Sequence, residues 1–345
     1  MPMKDFFIAD AAQFDTQNIT SFFCIATIGV RERKAGSGQY LALTLADKTG
    51  QFEARMWEDF AEAVQQCTEG SYVKVQGQVS KYQGKFQITL NKMRLAADSE
   101  IDTADFVPTT QFNVAKMNAE LRGYVDAFSN PHLRALVLAF LDDPTIGPAF
   151  IVAPAAKRLH HAWIGGLLEH VLMLVRVCLA TVPFYPEVDP DLLLTGAILH
   201  DVGKVRELSW RSSFNYTLEG QLIGHISIAQ GLLHEKIAVL NAQAMKAAEE
   251  AGTAPELFPD RLRMLVEHMI LAHHGKLEFG SPKLPMTPEA MLLSALDDLE
   301  AKFQTLRMEF ATSKSAGKSA EETTDWVRSM DRNLFNSREY LASDK

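Results

Sequence analysis

A small five-stranded barrel followed by a larger all-helical domain is the architecture that this 345-residue chain predicts. Apolar residues alternate between about residues 20 and 95, and from about 113 onward they recur three and four apart. Between the two periods, about residues 98–110, lies a polar stretch with one proline.

The alternating part reads strand by strand. A first strand is expected from Phe22 to Arg33, and Leu41, Leu43 and Leu45 share one face of a second. Lys48-Thr49-Gly50 turns the chain into Phe52, Ala54 and Met56 of a third, and a helical insert runs from Glu58 to Cys67. In Tyr72–Tyr82 the valines 73, 75 and 79 face one way; Gln83-Gly84 makes a tight turn, and Phe86, Ile88 and Leu90 resume the alternation. Five strands with a helix between the third and fourth is the order of an OB-fold barrel. Residues 1–98 are assigned to it and 99–112 to a linker.

Helical spacing then predicts helices over Asn113–Phe128, Pro131–Leu141, His161–Ala180, Asp191–Leu199, Gln221–Ala251, Pro259–His273 and Pro288–Phe310. These form an all-α domain over 113–315, and a more polar, peripheral helix is expected within 316–345, from Ser319 to Ala342.

The net charge is −9, so the whole chain is no polycation. The barrel is different: Phe22 to Leu95 holds ten Lys/Arg against seven Asp/Glu, which makes it the part suited to meet a polyanion. On its outward parity stand Tyr40, Arg55, Trp57, Lys74 and Tyr82, aromatics interleaved with cations. Such a face could stack bases and track phosphates, or be an ordinary strand surface. The three cysteines, Cys24, Cys67 and Cys178, lie far apart with no CxxC pair, which argues against a disulfide framework and for a reducing, cytoplasmic setting. No uncharged apolar stretch long enough to span a bilayer is expected.

The pair His200-Asp201 closes the apolar run Leu192–Leu199 and precedes Gly203-Lys204. Its position drives a carboxylate into a partly buried site, where a metal or Lys204 must compensate the charge. His170 among leucines is either a hydrogen-bonded core residue or a ligand. His225 opens a long helix after Gly224, and His273-His274 end another. Of Asp297-Asp298, Asp298 can pair with Lys302 one turn on, which leaves Asp297 as the candidate ligand. Dispersed His and Asp residues of this kind point to a metal-dependent phosphohydrolase built from several helices.

His170, His200-Asp201 and Asp297 resemble the H…HD…D pattern of the HD-domain phosphohydrolases, and His225 with His273-His274 resembles the members that hold two metals. The run His160-His161-Ala162-Trp163-Ile164-Gly165-Gly166-Leu167-Leu168-Glu169-His170, then His273-His274-Gly275 and Phe279-Gly280-Ser281-Pro282, placed after an OB-fold, is similar to the YhaM-type 3′–5′ exoribonucleases over about residues 15–310. The Gly-Tyr-Pro signature of HD-GYP cyclic-dinucleotide phosphodiesterases is missing.

The resemblance implies two divalent cations bridged by Asp201. One is held by His170, His200 and Asp297, the other by His225 with one or both of His273 and His274. Manganese suits this donor set, iron or magnesium less well. Lys204 would contact a nonbridging phosphate oxygen, and His161 would do the same or only pack. The implied substrate is single-stranded RNA or DNA, shortened from its 3′ end; self-association stays open. Two rivals keep the same residues in view: a phosphohydrolase or cyclic phosphodiesterase acting on free nucleotides, and a non-catalytic OB-fold nucleic-acid-binding protein.

Overall fold

The structure, a computed structural model, describes residues 4–33, 38–102, 105–157, 161–210, 214–315 and 317–343; His160 lies outside them. The chain divides into two compact units, one of Met1–Thr109 with Ser209–Asn215 and one of Thr110–Leu208 with Tyr216–Lys345.

The first unit is a closed five-stranded barrel. Strands β1 (Asn18–Glu32), β2 (Gln39–Asp47), β3 (Gly50–Met56), β4 (Tyr72–Tyr82) and β5 (Lys85–Leu95) run in the order β1-β2-β3-β5-β4, and β4 returns to β1. Helix α1 (Ala61–Gln66) connects β3 to β4, so the expected OB order is observed, with a shorter helix. Pairing is antiparallel except between β3 and β5, where Glu53 to Met56 run parallel to Gln87 to Leu90. Leu41, Leu43, Leu45, Ala54, Val73, Val75, Val79 and Ile88 fill the interior, as the alternation requires. Gln83 (φ 48°) and Gly84 (φ 82°) both take positive φ, the two-residue turn that matches the twist of a β-hairpin.

β1 departs from alternation. It starts at Asn18, four residues earlier than expected, and Ser21 to Ile25 are all buried. The outer side of this segment is covered: the buried Lys4 ammonium donates to the Phe22 carbonyl and pairs with Asp47 at 3.0 Å. Burial, only partly offset by Asp47, pulls the Lys4 pKa down to about 8. The stretch read as a linker is not wholly solvated either. Phe106 and Val107 are buried, with the Phe106 ring 4.8 Å from Tyr72.

The second unit is helical: α2 (Val114–Asp126), α3 (Pro131–Leu141), α4 (Ile146–Val152), α5 (Gly166–Thr181), α6 (Pro190–Leu199), α7 (Lys204–Glu207), α8 (Leu218–Leu222), α9 (His225–Ala251), α10 (Asp260–Ala272), α11 (Pro288–Ser315) and α12 (Ser337–Ser343). Helix α6 is the centre of the bundle, with α5, α10 and α11 packed around it. Asn113, Asn130 and Asp189 cap α2, α3 and α6 through their side chains.

Three expected helices change. The helix expected from His161 begins only at Gly166, because His161 (φ 54°) and Gly165 (φ 80°) both adopt left-handed backbone. The helix expected from Gln221 is broken at Gly224, whose φ of 78° separates α8 from α9. The tail, expected as one helix, is helical only over Ser337–Ser343 among the described residues. A further correction concerns Gly166–Phe184, which carries Glu169 and Arg176 yet is long and apolar enough to cross a membrane by length and composition. Its apolar character has a local cause, since Leu167, Leu168, Val171, Leu174 and Val175 of α5 lie fully inside the helical core.

Candidate metal centre

Helix α6 carries the centre. Leu192 to Leu199 are all buried, and each Leu or Ile of that run contributes roughly 1.5–3 kcal/mol of burial free energy. That burial sustains the polar pair at the helix end, where His200 and Asp201 are 0 % and 3 % exposed. Gly203 lets a second ligand helix come close. A Cβ there would stand 2.0 Å from the His225 carbonyl oxygen and 2.9 Å from the Ala229 nitrogen, both in the first turn of α9. Gly203→Ala is therefore expected to push His225 away and, if the His225–His273–His274 group holds a cation, to weaken its binding by about tenfold or more. A metal titration by calorimetry checks this; two undisturbed sites would refute it.

The two oxygens of Asp201 face two different groups. On the Oδ2 side are His200 Nε2 (3.3 Å), His170 Nε2 (3.6 Å) and the Lys204 ammonium (2.6 Å). On the Oδ1 side are His225 Nε2 (3.5 Å) and His273 Nε2 (3.8 Å). Asp297 Oδ1 joins the first group, 3.2 Å from His170 Nε2 and 3.8 Å from His200 Nε2. His274 joins the second: its ligand atom and those of His225 and His273 all lie within 4.8 Å of one another.

All five other ring nitrogens of this set have an acceptor. His200 Nδ1 bonds the Ala197 carbonyl and His273 Nδ1 the Ile270 carbonyl, each one turn back in its own helix. His274 Nδ1 bonds the Phe279 carbonyl, His225 Nδ1 the Glu207 carboxylate and His170 Nδ1 the Glu300 carboxylate. An imidazole that donates through Nδ1 presents a lone pair at Nε2, which is the ligand form. The Nε2 atoms of His225 and His273 are buried with no hydrogen-bond partner. Such orphaned atoms, converging on a carboxylate, fit divalent cations.

The electrostatics agree. Burial works to raise the Asp201 pKa, but Lys204 and His200 hold it well below the usual carboxylate range. Asp297 is likewise held low against burial, chiefly by His170. Burial and His200 push His273 well below an ordinary imidazole, and burial and His225 lower His274, which favours the neutral ring that a metal ligand needs.

Glu300 is the residue that sequence reasoning left without a role. It is 6 % exposed and bonds His161 Nε2 at 2.9 Å and His170 Nδ1 at 2.8 Å. These hydrogen bonds orient both rings, His170 through the nitrogen opposite the one that faces Asp201 and Asp297. Its helical register was a usable signal: Glu300 lies three residues after Asp297, hence on the same face. His161 is corrected by the same contacts. It is buried behind Glu300, its Nδ1 lies 3.7 Å from Glu169, and it does not line the cavity over the metal ligands. Lys204 does line that cavity, together with Asp201, His225, His273, His274 and Asp297; its volume is about 720 Å³.

On the barrel the five candidate residues fall into separate groups. Tyr40 and Trp57 stack with centroids 4.7 Å apart, and the Arg33 guanidinium, which sequence reasoning passed over, lies 5.4 Å from the Trp57 ring centre. Arg55 lies 5.7 Å over Tyr82. Lys74 is elsewhere: it pairs across strands with Phe22 and Arg94, sits over the Phe22 ring, and lines a basic groove with Lys92 and Arg94.

Comparison with known proteins bears on both units. A family model described as an OB-fold nucleic acid binding domain matches residues 28–96, and an HD domain model matches residues 167–302. A 3′-5′ exoribonuclease YhaM of Geobacillus sp. (strain WCH70) is 37 % identical over 268 residues, 77 % of each chain. The chain belongs to the YhaM family. A second member, 3′-5′ exoribonuclease YhaM of Bacillus pumilus (strain SAFR-032), is 36 % identical over 77 % of this chain and 80 % of its own. Among solved structures, the second OB-fold domain of replication protein A from Methanococcus maripaludis covers 26 % of this chain and 92 % of its own, at 20 % identity and a TM-score of 0.22. In this YhaM-family chain the HD match spans every ligand candidate from His170 to Asp297, and it identifies the helical unit as a metal-dependent phosphohydrolase domain. The OB match spans all five barrel candidates, from Tyr40 to Tyr82.

Proposed function

We propose that this chain is a 3′–5′ exonuclease that hydrolyses single-stranded RNA, with DNA as a second substrate, to nucleoside 5′-monophosphates. Two divalent cations serve it, manganese first and iron or magnesium after it. One observation carries this reading: the two oxygens of a single buried carboxylate, Asp201, each face their own set of imidazoles. His170, His200 and Asp297 would hold one cation, and His225, His273 and His274 the other, with Asp201 shared. The mixed nitrogen and oxygen set favours manganese. The names borne by the relatives support the direction of attack and the polymer.

Bound divalent cations supply an acidified water and neutralise charge on the phosphoryl oxygens. The protein does the rest. Glu300 and Glu207 hold His170 and His225 by their Nδ1 atoms, which turns both Nε2 atoms toward Asp201. Lys204, its ammonium kept charged by Asp201 against burial, is placed to neutralise a nonbridging oxygen. On the barrel, the Tyr40–Trp57 stack with Arg33 and the Arg55–Tyr82 pair supply base and phosphate contacts that do not depend on sequence.

The test uses one RNA strand, labelled at either end, with manganese. A 5′ label is expected in a descending ladder, and a 3′ label in mononucleotide from the earliest time. Release of the 5′ label first, or phosphate release from free nucleotides with no shortening of the strand, would refute the proposal.

A further inference from the structure

Two aromatic rings at the cavity over the metal ligands take no part in holding the cations. Tyr216 and Phe279 both line this cavity, and both remain open, 45 % and 57 % exposed. Single exposed aromatics are ordinary on a protein surface. These two differ in how they are held and in what accompanies them.

Phe279 is fixed to a ligand: its carbonyl accepts the Nδ1 proton of His274 at 2.8 Å. Gly280 comes next with a φ of 85°, which ends the short turn Leu277–Phe279 and sets the ring's place in the chain. Tyr216 is fixed to another ligand through its neighbour. Thr217 donates its backbone N–H to the Glu207 carbonyl at 2.9 Å, and the Glu207 carboxylate accepts from the His225 ring at 3.0 Å. The backbone that carries each ring is thus tied to a histidine of the His225–His273–His274 group. Each also carries a cation: Lys157 stands 5.8 Å from the centre of Tyr216, and Lys276 stands 5.0 Å from that of Phe279.

An open ring with an ammonium beside it, anchored to a phosphodiester-cleaving centre, has the chemistry of a nucleotide subsite: the ring offers a stacking face and the ammonium a phosphate contact. The cavity, about 720 Å³, is within the size range of sites that enclose small ligands. We infer that Tyr216 and Phe279 stack the nucleobases next to the scissile bond, with Lys157 on the neighbouring phosphate. The helical unit would then grip the strand end itself, whatever its base sequence. This rests on the exonuclease reading and names the residues that seat its substrate.

The experiment compares two substrates on the full chain with manganese: a short single-stranded RNA, and a base-free dimer of two deoxyribose-like tetrahydrofuran sugars joined by a 3′–5′ phosphodiester, a diester without aromatic rings. Tyr216→Ala and Phe279→Ala are each expected to lower kcat/KM on RNA by about 10- to 100-fold. The loss on the diester should be at least about tenfold smaller, since no base is there to lose its stack. Tyr216→Phe and Phe279→Tyr keep a ring and should restore RNA turnover. A second readout needs no turnover: an RNA ending in 3′ 2-aminopurine, bound under chelation, should lose fluorescence with the unchanged chain and keep it with either Ala variant. Equal losses on both substrates, or no loss on RNA, would overturn the inference while leaving the exonuclease reading intact. If the unchanged chain splits the diester and never shortens RNA, the exonuclease reading fails instead, and the stacking role with it.

Discussion

Asp201→Asn is expected to lower hydrolysis by about 1,000-fold or more while single-strand binding stays within a few fold. The substitution keeps the shape of the side chain and removes the charge that two sets of imidazoles share. An amide offers one ligand oxygen in place of two, so one of the two cation positions loses its common donor. It also leaves the Lys204 ammonium without its partner at 2.6 Å. Binding should persist because the stacked aromatics and cations of the barrel lie on residues the change does not touch. Cleavage of end-labelled RNA, metal content of the purified protein and strand affinity under chelation check the three parts. Near-normal turnover with normal metal content would remove Asp201 from the centre.

Glu300→Gln should cost about 10- to 100-fold in metal affinity and a similar factor in turnover. Gln can still bond both rings, so the loss isolates the charge that makes His170 a better donor. Glu300→Ala goes further, stranding two buried ring nitrogens at about 1–3 kcal/mol each. The pH dependence of the metal-free protein comes from the same pair. Burial opposes the ionised form of Glu300, but the His161 and His170 hydrogen bonds bring its pKa down to about 2. A carboxylate depressed in the folded state contributes stability above its unfolded pKa and loses it as pH falls toward about 2. His170 runs the other way: burial would lower it, yet Asp297 and Glu300 raise it to about 10. Its contribution is complete below the ordinary imidazole pKa and is lost as pH climbs through about 10. Thermal melts of the chelated protein should therefore be highest between about pH 5 and 6. Glu300→Gln should flatten both flanks, and an unchanged profile would count against the coupling.

Much of the architecture could be read from the chain, and the exceptions share a physical cause. Strict alternation exposed β2, β3, β4 and β5, because each has one face in the core and one in water. It failed on β1, where Lys4 covers the second side with contacts that no local pattern announces. Helical spacing located α6 and α10 to within a residue, yet it ran through the breaks at Gly165 and Gly224, since apolar residues continue on both sides. The candidate ligands stood out because each interrupts or closes an apolar run, where a charged or polar side chain needs a reason. Glu300 drew no such notice: it stands four residues after the buried Leu296, on the same stripe, but its partner His161 arrives from 139 residues away. Tyr216 and Phe279 stand in short, irregular segments without a period, so their shared cavity exists only in three dimensions.

The candidate ligand Asp297 and Glu300, the carboxylate that steadies His170, both lie on α11, whereas His170 lies on α5 and His200 with Asp201 at the end of α6. The candidate centre is therefore complete only once α11 has docked against α5 and α6, which ties its assembly to the folding of the helical unit.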